Sequence, residues 1–469
     1  MTKKFFSLIL VLSLVLCTVL TISPVNAANN NTYVSKWDGV LTGMLADGTT
    51  GATDWFNSQK DNSVIEIYEA KQLAIIAYMS SRDSYGAWDG AATTFSDKTI
   101  KLMTDIDLDN KQWLPICFDS GKAFLGTFDG NGHKIKNLYG KNLTVVSSKT
   151  PTAFGLIGTL AGTVKNLVIE NVTYDLDLSV VNQPKVGAIC AGGGYWTGSG
   201  STSATSATIQ NCAVKNVTFN VTNTANFATN TLSGVAAVCG IVYKATTIKD
   251  TYAKNVRFNF DTEVSNFHHG GFVNHMRGSG AGTYINCYLA DAKESVGDAE
   301  STDLRFGYFE LSGKDSMNLC YTTSDTTEST NISTGTSGGN VLIKAADATR
   351  INYGMTTNNT TGSYIGDITN KNGGFPLLAI EVPVRDLKIT REDYTFTASA
   401  EFAYPDREPK LFLAVYDKTT NMLEFAQMSD EETLSVEFLD YDEEKHIIKA
   451  FVWRLGDCTP FVEAVTYTE

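Results

Sequence analysis

The sequence predicts an all-β protein in which a parallel β-helix, a solenoid of stacked repeats, is followed by a small C-terminal β-sandwich. Three observations predict this fold. Related segments recur at intervals of 32 to 45 residues in the middle of the chain, and polar and apolar residues alternate within each segment. The last part of the chain alternates in the same way but does not repeat. The repeats therefore indicate a solenoid, and the remainder indicates a separate sandwich.

Five related segments define the repeat. Their equivalent positions hold asparagine or aspartate, and each segment follows a glycine-rich apolar stretch such as AFGLIG at Ala153. The alternation in VKNLVIENV has a period of two residues, which is typical of a half-buried strand. Asparagine that recurs at one position can form a ladder of side-chain amides along the stack. The equivalent residues are Asn166, Asn211, Asp250, Asn286 and Asn318.

Two features precede the repeats. Residues 1–27 are typical of a secretory signal peptide, because a basic start precedes an apolar run and small residues stand before Ala28. A leader and a capping helix are predicted for residues 28–96. Residues 69–79 place apolar side chains on one helical face, which suits a cap over the open end of a solenoid. These side chains are Leu73, Ile76 and Ala77.

The ordered motifs of residues 64–380 resemble a known family. VIEIYEAKQLAIIA, TIKLMTDIDLDNKQWLPI, AFLGTFDGNGHKIKNLYG and AFGLIGTLAGTVKNLVIENV resemble secreted bacterial surface proteins that carry the GLUG motif, and NGGFPLL resembles their usual ending. The resemblance implies a pectin-lyase-like, right-handed parallel β-helix over residues 97–383, in a secreted protein of Gram-positive type. It does not imply a reaction, because a fold does not fix function.

Residues 384–469 form the second predicted domain. They hold six short alternating segments separated by turns or charged clusters, which is typical of a β-sandwich. LFLAVYD and KAFVW resemble an Ig-like module of clostridial secreted proteins, which implies a spacer or a surface-docking role. Trp453 in this domain and Trp196 in a Gly/Ser-rich loop are the candidate ligand-binding aromatics.

The composition excludes some classes of protein. The 469 residues include 37 Lys+Arg against 51 Asp+Glu, with a net charge of −14, so the chain lacks the basic face that nucleic-acid binding needs. After residue 27 there is no apolar stretch long enough for a bilayer, and we expect no membrane span in the mature chain. The remaining cysteines are widely spaced, which favours buried thiols and leaves stacked pairs open.

One segment concentrates candidate catalytic groups. β-Helix polysaccharide lyases and hydrolases use carboxylates together with basic side chains for acid–base chemistry. A solvated or stacked surface is the alternative, since Gly270 and Gly271 favour a turn between the histidines. The candidates are His268, His269, His275 and Arg277 in NFHHGGFVNHMR, with Arg305 and Glu310 beside the next apolar segment.

Three aspartates are candidate calcium ligands. Asp105 and Asp107 alternate with apolar residues, so both carboxylates point the same way on a strand, and Asp129 begins the turn DGNGH. Carboxylate oxygens are ligands that Ca²⁺ prefers. A structural turn is the alternative for both segments. We expect no other cofactor, because nucleotide and zinc motifs are absent from the sequence.

These features predict a secreted or cell-surface-associated protein that works without catalysis. We expect a monomer that binds an extracellular glycan or a surface protein through one face of the β-helix, as an adhesin does. Two alternatives stay open: a polysaccharide lyase or glycoside hydrolase on the same scaffold, and a structural component of the envelope. Paired carboxylates in a groove would favour the enzyme, whereas outward rows of Thr, Ser and Asn would favour binding.

Overall fold

The structure is a computed structural model of the chain. Strands dominate it and helices are few, which confirms the all-β class. The described part divides into two compact units, residues 34–381 and residues 382–469. The predicted signal peptide lies outside the described residues. These are 34–36, 38–39, 50–80, 93–118, 123–141, 153–180, 184–194, 206–224, 234–242, 246–263, 267–275, 282–301, 316–323, 342–344, 348–357, 362–367, 370–382, 384–402, 409–454, 459–462 and 464–468.

Short strands and two helices form the N-terminal part of the first unit. Gln72 Oε1 accepts hydrogen bonds from the backbone N–H groups of Tyr68 and Glu69, and this contact caps the second helix. That helix buries the predicted apolar face in the same core cluster as Ile100. The elements are β1 (Val34–Lys36), α1 (Thr50–Gln59), β2 (Val64–Ile67), α2 (Ala70–Ser80), β3 (Thr99–Leu102), β4 (Asp105–Asp107), β5 (Thr127–Asp129), β6 (Lys134–Lys136) and β7 (Tyr139–Lys141).

The described α-helices contain ten or eleven residues each. None that the structure describes is both long and apolar enough to cross a membrane.

Four repeats follow, and each contains two short strands and one long strand. Equivalent strands pair in parallel, so the repeats contribute to three sheets. The long strands pair residue for residue, from Thr163 with Thr208 to Asp177 with Thr222 in the first pair. The strands are β8 (Ala153–Phe154), β9 (Ile157–Leu160), β10 (Thr163–Asp177), β11 (Lys185–Val186), β12 (Cys190–Gly193), β13 (Ala207–Thr222), β14 (Gly234–Ala236), β15 (Cys239–Val242), β16 (Thr246–Phe260), β17 (His269–Gly270), β18 (Val273–His275) and β19 (Gly282–Val296).

Each long strand bends twice, and the bends carry the recurrent asparagines. Asn166 and Asn171 in β10 have φ values of 54° and 60°, in the left-handed region that asparagine enters more readily than most residues. The Asn211 amide donates to Asn166 Oδ1 at 2.9 Å. The Asn286 amide donates to Asp250 Oδ1 at 3.0 Å. The predicted equivalence of the first four recurrent positions is therefore confirmed.

The fifth predicted equivalent, Asn318, is wrong by one residue. Asn318 pairs with Ile285, so Leu319 occupies the position equivalent to Asn286. Leu319 has a φ of 51°, the backbone conformation of the asparagines at the other bends. The residue type misleads here because the bend needs a left-handed backbone at this position, and leucine adopts that conformation too.

Two glycines let neighbouring repeats approach closely. A β-carbon on Gly187 would lie 2.6 Å from the Gly240 nitrogen, and one on Gly240 would lie 2.5 Å from the Val186 nitrogen. Both distances are shorter than van der Waals contact, so a larger residue would push the backbones apart. This close approach explains why the short apolar strands are rich in glycine.

Short strands, a helix and a closing segment end the first unit. β21 and β22 pair in parallel with β19, and β24 pairs with β25 in antiparallel orientation. Residues 362–367 and 370–381 are called the closing segment. The elements are β20 (Ala299–Ser301), β21 (Ser316–Asn318), β22 (Cys320–Thr322), β23 (Leu342–Lys344), α3 (Ala348–Thr357), β24 (Tyr364–Ile365), β25 (Leu377–Leu378) and a 3₁₀ turn (Ala379–Glu381).

Two antiparallel sheets form the second unit. Phe396 from one sheet and Leu411 and Leu413 from the other belong to one hydrophobic cluster. Strands overlap all six predicted segments, and β26 and β32 are additional strands. One sheet contains β26 (Val384–Glu392), β27 (Thr395–Phe402) and β30 (Thr433–Glu437), and the other contains β28 (Pro409–Asp417), β29 (Leu423–Ser429), β31 (His446–Arg454), β32 (Thr459–Pro460) and β33 (Val465–Thr466).

Candidate functional site

A row of hydroxyl groups runs along the sheet of long strands. The pairing register places seven threonine and serine residues side by side on seven successive strands. The residues after them, such as Val164 after Thr163, are buried in the core, so the hydroxyl side chains point outward. The row consists of Thr99, Thr127, Thr163, Thr208, Thr247, Thr283 and Ser316.

A second outward row lies two residues further along the same strands. Lys165 Nζ lies 3.2 Å from Asp129 Oδ2, and the Lys165 side chain is 39% exposed. The two rows together are called the hydroxyl face, which combines neutral hydroxyl groups with both signs of charge. The second row consists of Lys101, Asp129, Lys165, Gln210, Lys249, Ile285 and Asn318.

Backbone pairing sets the spacing of the hydroxyl face. Paired strands lie about 4.8 Å apart, so the row from Thr99 to Ser316 extends over about 29 Å. Each strand is hydrogen-bonded to its neighbours, and the hydroxyl groups therefore keep their relative positions without a bound partner. The result is a long and regular polar surface.

The closing segment covers a different outward surface of the long strands. This surface begins three residues beyond the second row of the hydroxyl face. Tyr252 and Tyr288 stack on it with ring centroids 4.6 Å apart. The Tyr252 hydroxyl donates to Glu381 Oε2 at 2.8 Å, and Lys215 forms an ion pair with Glu381. Burial, followed by the Glu381 charge, raises the pKa of Tyr252 well above its usual value. This surface, which also includes Lys254, is called the covered face.

A third outward surface carries a ladder of side-chain amides. Asn220 Nδ2 donates to Asp175 Oδ1 at 2.8 Å, and Asn259 Nδ2 donates to Asn220 Oδ1 at 2.9 Å. Ser295 Oγ donates to Asn259 Oδ1 at 3.0 Å. The Tyr139 hydroxyl donates to Asp175 Oδ2 at 2.8 Å. Burial, with this hydrogen bond and the charge of Asp175, raises the pKa of Tyr139 to about 12.

His269, a candidate catalytic residue, is buried in the core. Its exposed fraction is 0%, and the ring centroids of Phe258, Phe260 and Phe267 lie 4.7, 5.2 and 6.1 Å from its own. His269 Nε2 lies 2.8 Å from Glu294 Oε2, and Glu294 is 3% exposed. A polymer outside the protein cannot contact this pair while the fold is intact.

Glu294, the partner of His269, is not among the residues that the sequence pattern indicated. Glu294 pairs in register with Phe258, a core position. An acidic residue at a position where the neighbouring repeat has an aromatic core residue was the signal that could have indicated it. His268 is half-buried beside the pair. His275 ends β18, where it pairs with Val242. The other candidates, Arg277, Arg305 and Glu310, lie outside the described residues.

Two candidate calcium ligands, Asp107 and Asp129, stand at the N-terminal ends of amide rows. Asp107 Oδ1 accepts a hydrogen bond from Asn137 Nδ2 at 2.7 Å, and Asp129 Oδ1 accepts one from Asn166 Nδ2 at 3.1 Å. A carboxylate accepts hydrogen bonds but donates none. Each aspartate therefore ends its row of donors, which is a structural role.

The third candidate, Asp105, contacts two groups on β6 and the preceding turn. Its Oδ1 lies 3.1 Å from His133 Nδ1 and accepts the backbone N–H of Lys134 at 3.0 Å. Burial opposes ionisation, but the hydrogen bonds and charges of His133 and Lys134 together outweigh it and lower the pKa of Asp105. Within the ranges that the structure describes, no three His, Cys, Asp or Glu side chains are grouped to hold a metal ion. Calcium binding stays a prediction.

Trp453 lies on β31 in the second unit and is half-buried. Its ring stacks on Phe451 with centroids 4.7 Å apart and lies 5.6 Å from that of Phe412. Val452, between Phe451 and Trp453 in sequence, belongs to the core, so the two aromatics lie on the opposite face of the sheet. Trp196, the other candidate aromatic, lies outside the described residues.

Known proteins do not assign this chain to a family. No protein-family model matches it, and no curated protein or solved structure shows significant similarity to it. The resemblance to GLUG-motif proteins therefore stays a prediction that rests on the quoted motifs.

Proposed function

We propose that the protein is an exported, non-enzymatic binding protein whose hydroxyl face binds an extended extracellular glycan, as an adhesin does. The row from Thr99 to Ser316 carries this proposal, because it keeps a hydroxyl side chain at one register position on seven strands. The core does not require this regularity, since the row points away from it. A ligand with its own repeat would explain it.

The chemistry of the hydroxyl face suits a polysaccharide. A threonine hydroxyl donates one hydrogen bond and accepts two, as a sugar hydroxyl does. Lys165, Gln210 and Lys249 add charged and amide groups that can bind the hydroxyl or carboxylate groups of a glycan. Because paired strands hold these side chains in register, binding orders fewer groups than binding by a loop would.

The proposed scaffold is a right-handed parallel β-helix. Three parallel sheets, each with one strand from every repeat, support it, because a chain that visits three sheets in a fixed order winds in one direction. Right-handed connections between parallel strands are strongly preferred by L-polypeptides. For the second unit we propose an Ig-like β-sandwich that acts as a spacer or a surface-docking module.

Export to the cell surface or the medium is part of the same proposal. The composition of residues 1–27 supports it, with a basic start, an apolar run and small residues before Ala28. The hydroxyl face is continuous within one chain, and we propose that the protein acts as a monomer.

The test compares two pairs of substitutions in the same two strands. Thr163→Val with Thr208→Val removes neighbouring hydroxyls from the hydroxyl face, and Thr173→Val with Thr218→Val removes neighbouring hydroxyls from the third surface. Valine keeps the branching and strand preference of threonine, so both variants should fold. Residues 28–469 are screened against plant, host and bacterial-wall polysaccharides, with and without Ca²⁺. Retention and release of reducing or unsaturated ends are both recorded.

We expect the wild type and the control pair to be retained, and the hydroxyl-face pair to bind at least about tenfold more weakly. Two lost hydrogen bonds of about 1 kcal/mol each are sufficient for this factor. Equal weakening of both pairs would contradict the assignment of the face. Release of new chain ends would favour the lyase or hydrolase. Absence of any retention would favour a protein ligand or a structural role in the envelope.

A further inference from the structure

Four buried cysteines form two pairs across neighbouring strands. Cys190 on β12 pairs in register with Cys239 on β15, and their sulfur atoms lie 3.4 Å apart. Cys287 on β19 lies opposite Cys320 on β22, because the flanking residues pair in register. All four side chains are 0% exposed and belong to the core of the first unit.

Cys212 provides a reference within the same core. It is also 0% exposed, but its register partners are Leu167 on one side and Thr251 on the other. Its thiol donates to the backbone oxygen of Gln210 at 3.2 Å. Burial alone therefore does not bring a second thiol next to a cysteine of this core.

We propose that Cys190 with Cys239, and Cys287 with Cys320, form two disulfides that join neighbouring strands of the stack. In-register residues of parallel strands have α-carbons about 4.8 Å apart. Disulfides span α-carbon separations of about 4.4 to 6.8 Å. Both side chains of each pair enter the same core, so their β-carbons point the same way. Bond formation therefore needs side-chain rotation and no new backbone path.

The oxidant for this step is a small-molecule disulfide, such as oxidised glutathione. One cysteine thiolate attacks it, forms a mixed disulfide and releases one glutathione. The second thiolate attacks the protein sulfur, forms the bond between the two cysteines and releases the second glutathione. The cysteine pair loses two electrons, which reduce the small disulfide, and the two thiol protons end on the released glutathiones.

The exchange must precede burial of the core. Hydrogen bonding with Cys239 and then burial raise the pKa of the Cys190 thiol, while burial and then Cys320 raise the pKa of Cys287. A protonated thiol is a poor nucleophile, and a side chain with no exposed surface does not meet an oxidant. The disulfides therefore form while the chain folds in an oxidising compartment.

The experiment refolds the full chain from denaturant in three samples. The first contains oxidised and reduced glutathione, the second contains a reductant, and the third receives oxidised glutathione only after reductive folding. Remaining thiols are alkylated under denaturing conditions, and the cross-linked peptides are mapped by mass spectrometry. We expect both cross-links in the first sample and in neither of the others. Cys212 should be alkylated in all three samples.

Single substitutions distinguish the two pairs. Cys239→Ala should remove only the first cross-link and leave Cys190 alkylated, and Cys320→Ala should remove only the second. Cys212→Ala is the matched control and should keep both. Alkylation of all four cysteines in the first wild-type sample would overturn the proposal, as would cross-links between the pairs. The wild-type map decides the question even if a variant fails to fold, and it needs no ligand.

Discussion

The hydroxyl face and the covered face belong to the same long strands, yet the closing segment lies over the covered face and the hydroxyl face is half-exposed. Tyr252 and Tyr288 point outward from the covered face, and the closing segment lies over both and bonds to their hydroxyl groups. The hydroxyl face carries threonine and charged residues that stay half-exposed, as Thr163 and Lys165 do. The chain therefore covers its own outward aromatic rings and leaves its outward hydroxyl groups open to solvent.

The physical reason is the difference in apolar surface. Covering an aromatic ring contributes about 2 to 3 kcal/mol, because its apolar surface leaves water. A threonine hydroxyl already bonds to water, and covering it costs free energy unless a new hydrogen bond replaces the lost one. An open hydroxyl face is therefore stable as it stands and is available to a ligand that supplies such bonds.

The largest effect is expected when the ion pair under the closing segment is removed. Glu381→Ala leaves Lys215 and the Tyr252 hydroxyl without this partner, and the side chains of the ion pair are only 4% and 18% exposed. We expect the free energy of unfolding of the first unit to fall by about 3 kcal/mol in urea titrations. Lys165→Ala on the hydroxyl face is the control, with an expected loss below about 1 kcal/mol. A loss no larger than that of Lys165→Ala would show that the covered ion pair stabilises the fold no more than an exposed one.

The bend between the two faces offers a second and smaller test. Asn211 has a φ of 54° and donates to Asn166 Oδ1. Asn211→Ala should cost about 2 kcal/mol, from strain in the left-handed region and from the lost hydrogen bond. Asn211→Gly removes the strain but not the lost bond, and it should cost about 1 kcal/mol in the same titration. If the glycine variant is as unstable as the alanine variant, the whole loss comes from the missing side-chain hydrogen bond and none of it from backbone strain.

The smallest effect is expected on the third surface, because Tyr139 is only partly buried and water screens its contact with Asp175, and this effect depends on pH. The pKa of Tyr139 is about 12 in the folded state, because of burial and the Asp175 contact, against about 10 in an unfolded chain. The folded state therefore keeps a proton that the unfolded state loses. The stability from this group is fully present below about pH 10 and is lost as the pH rises through about 12.

Tyr139→Phe measures this loss directly. The wild type should unfold at a higher urea concentration than the variant at about pH 8, and the gap should narrow as the pH approaches about 11. A gap that does not change over this interval would mean that the hydrogen bond to Asp175 does not favour the neutral phenol.

Much of the repeat could be predicted because residue type and backbone position coincide in it. Asn166, Asn211, Asp250 and Asn286 mark one bend, and the pairing register aligns them as expected. Leu319 breaks the pattern because its left-handed backbone is imposed by the neighbouring strand and not by its own preference. The neighbouring strand can therefore determine where a strand bends, even where the residue type does not indicate a bend.

The site was less accessible to sequence reasoning. Threonine begins three of the related segments, but Thr99 and Thr127 join the row only through pairing with strands whose motifs differ. His269 follows another histidine at a glycine-rich turn, which suggests a polar surface. It is buried in contact with Glu294, which lies 25 residues later in the chain and is not implied by any local pattern.

The rows of amides also constrain how such a protein can grow. Asn255, Asn216, Asn171 and Asn137 each donate toward the N-terminus, and Asp107 receives the last hydrogen bond. A duplicated repeat inserted between two asparagines continues the chain of donors. A repeat added ahead of Asp107 would meet a carboxylate that has no proton to donate, and its own acceptor would be left unsatisfied. The aspartate therefore ends this row of amides, and the stack can continue past such an end only with an unsatisfied acceptor, as Asn211 Oδ1 is ahead of Asp250 among the described residues.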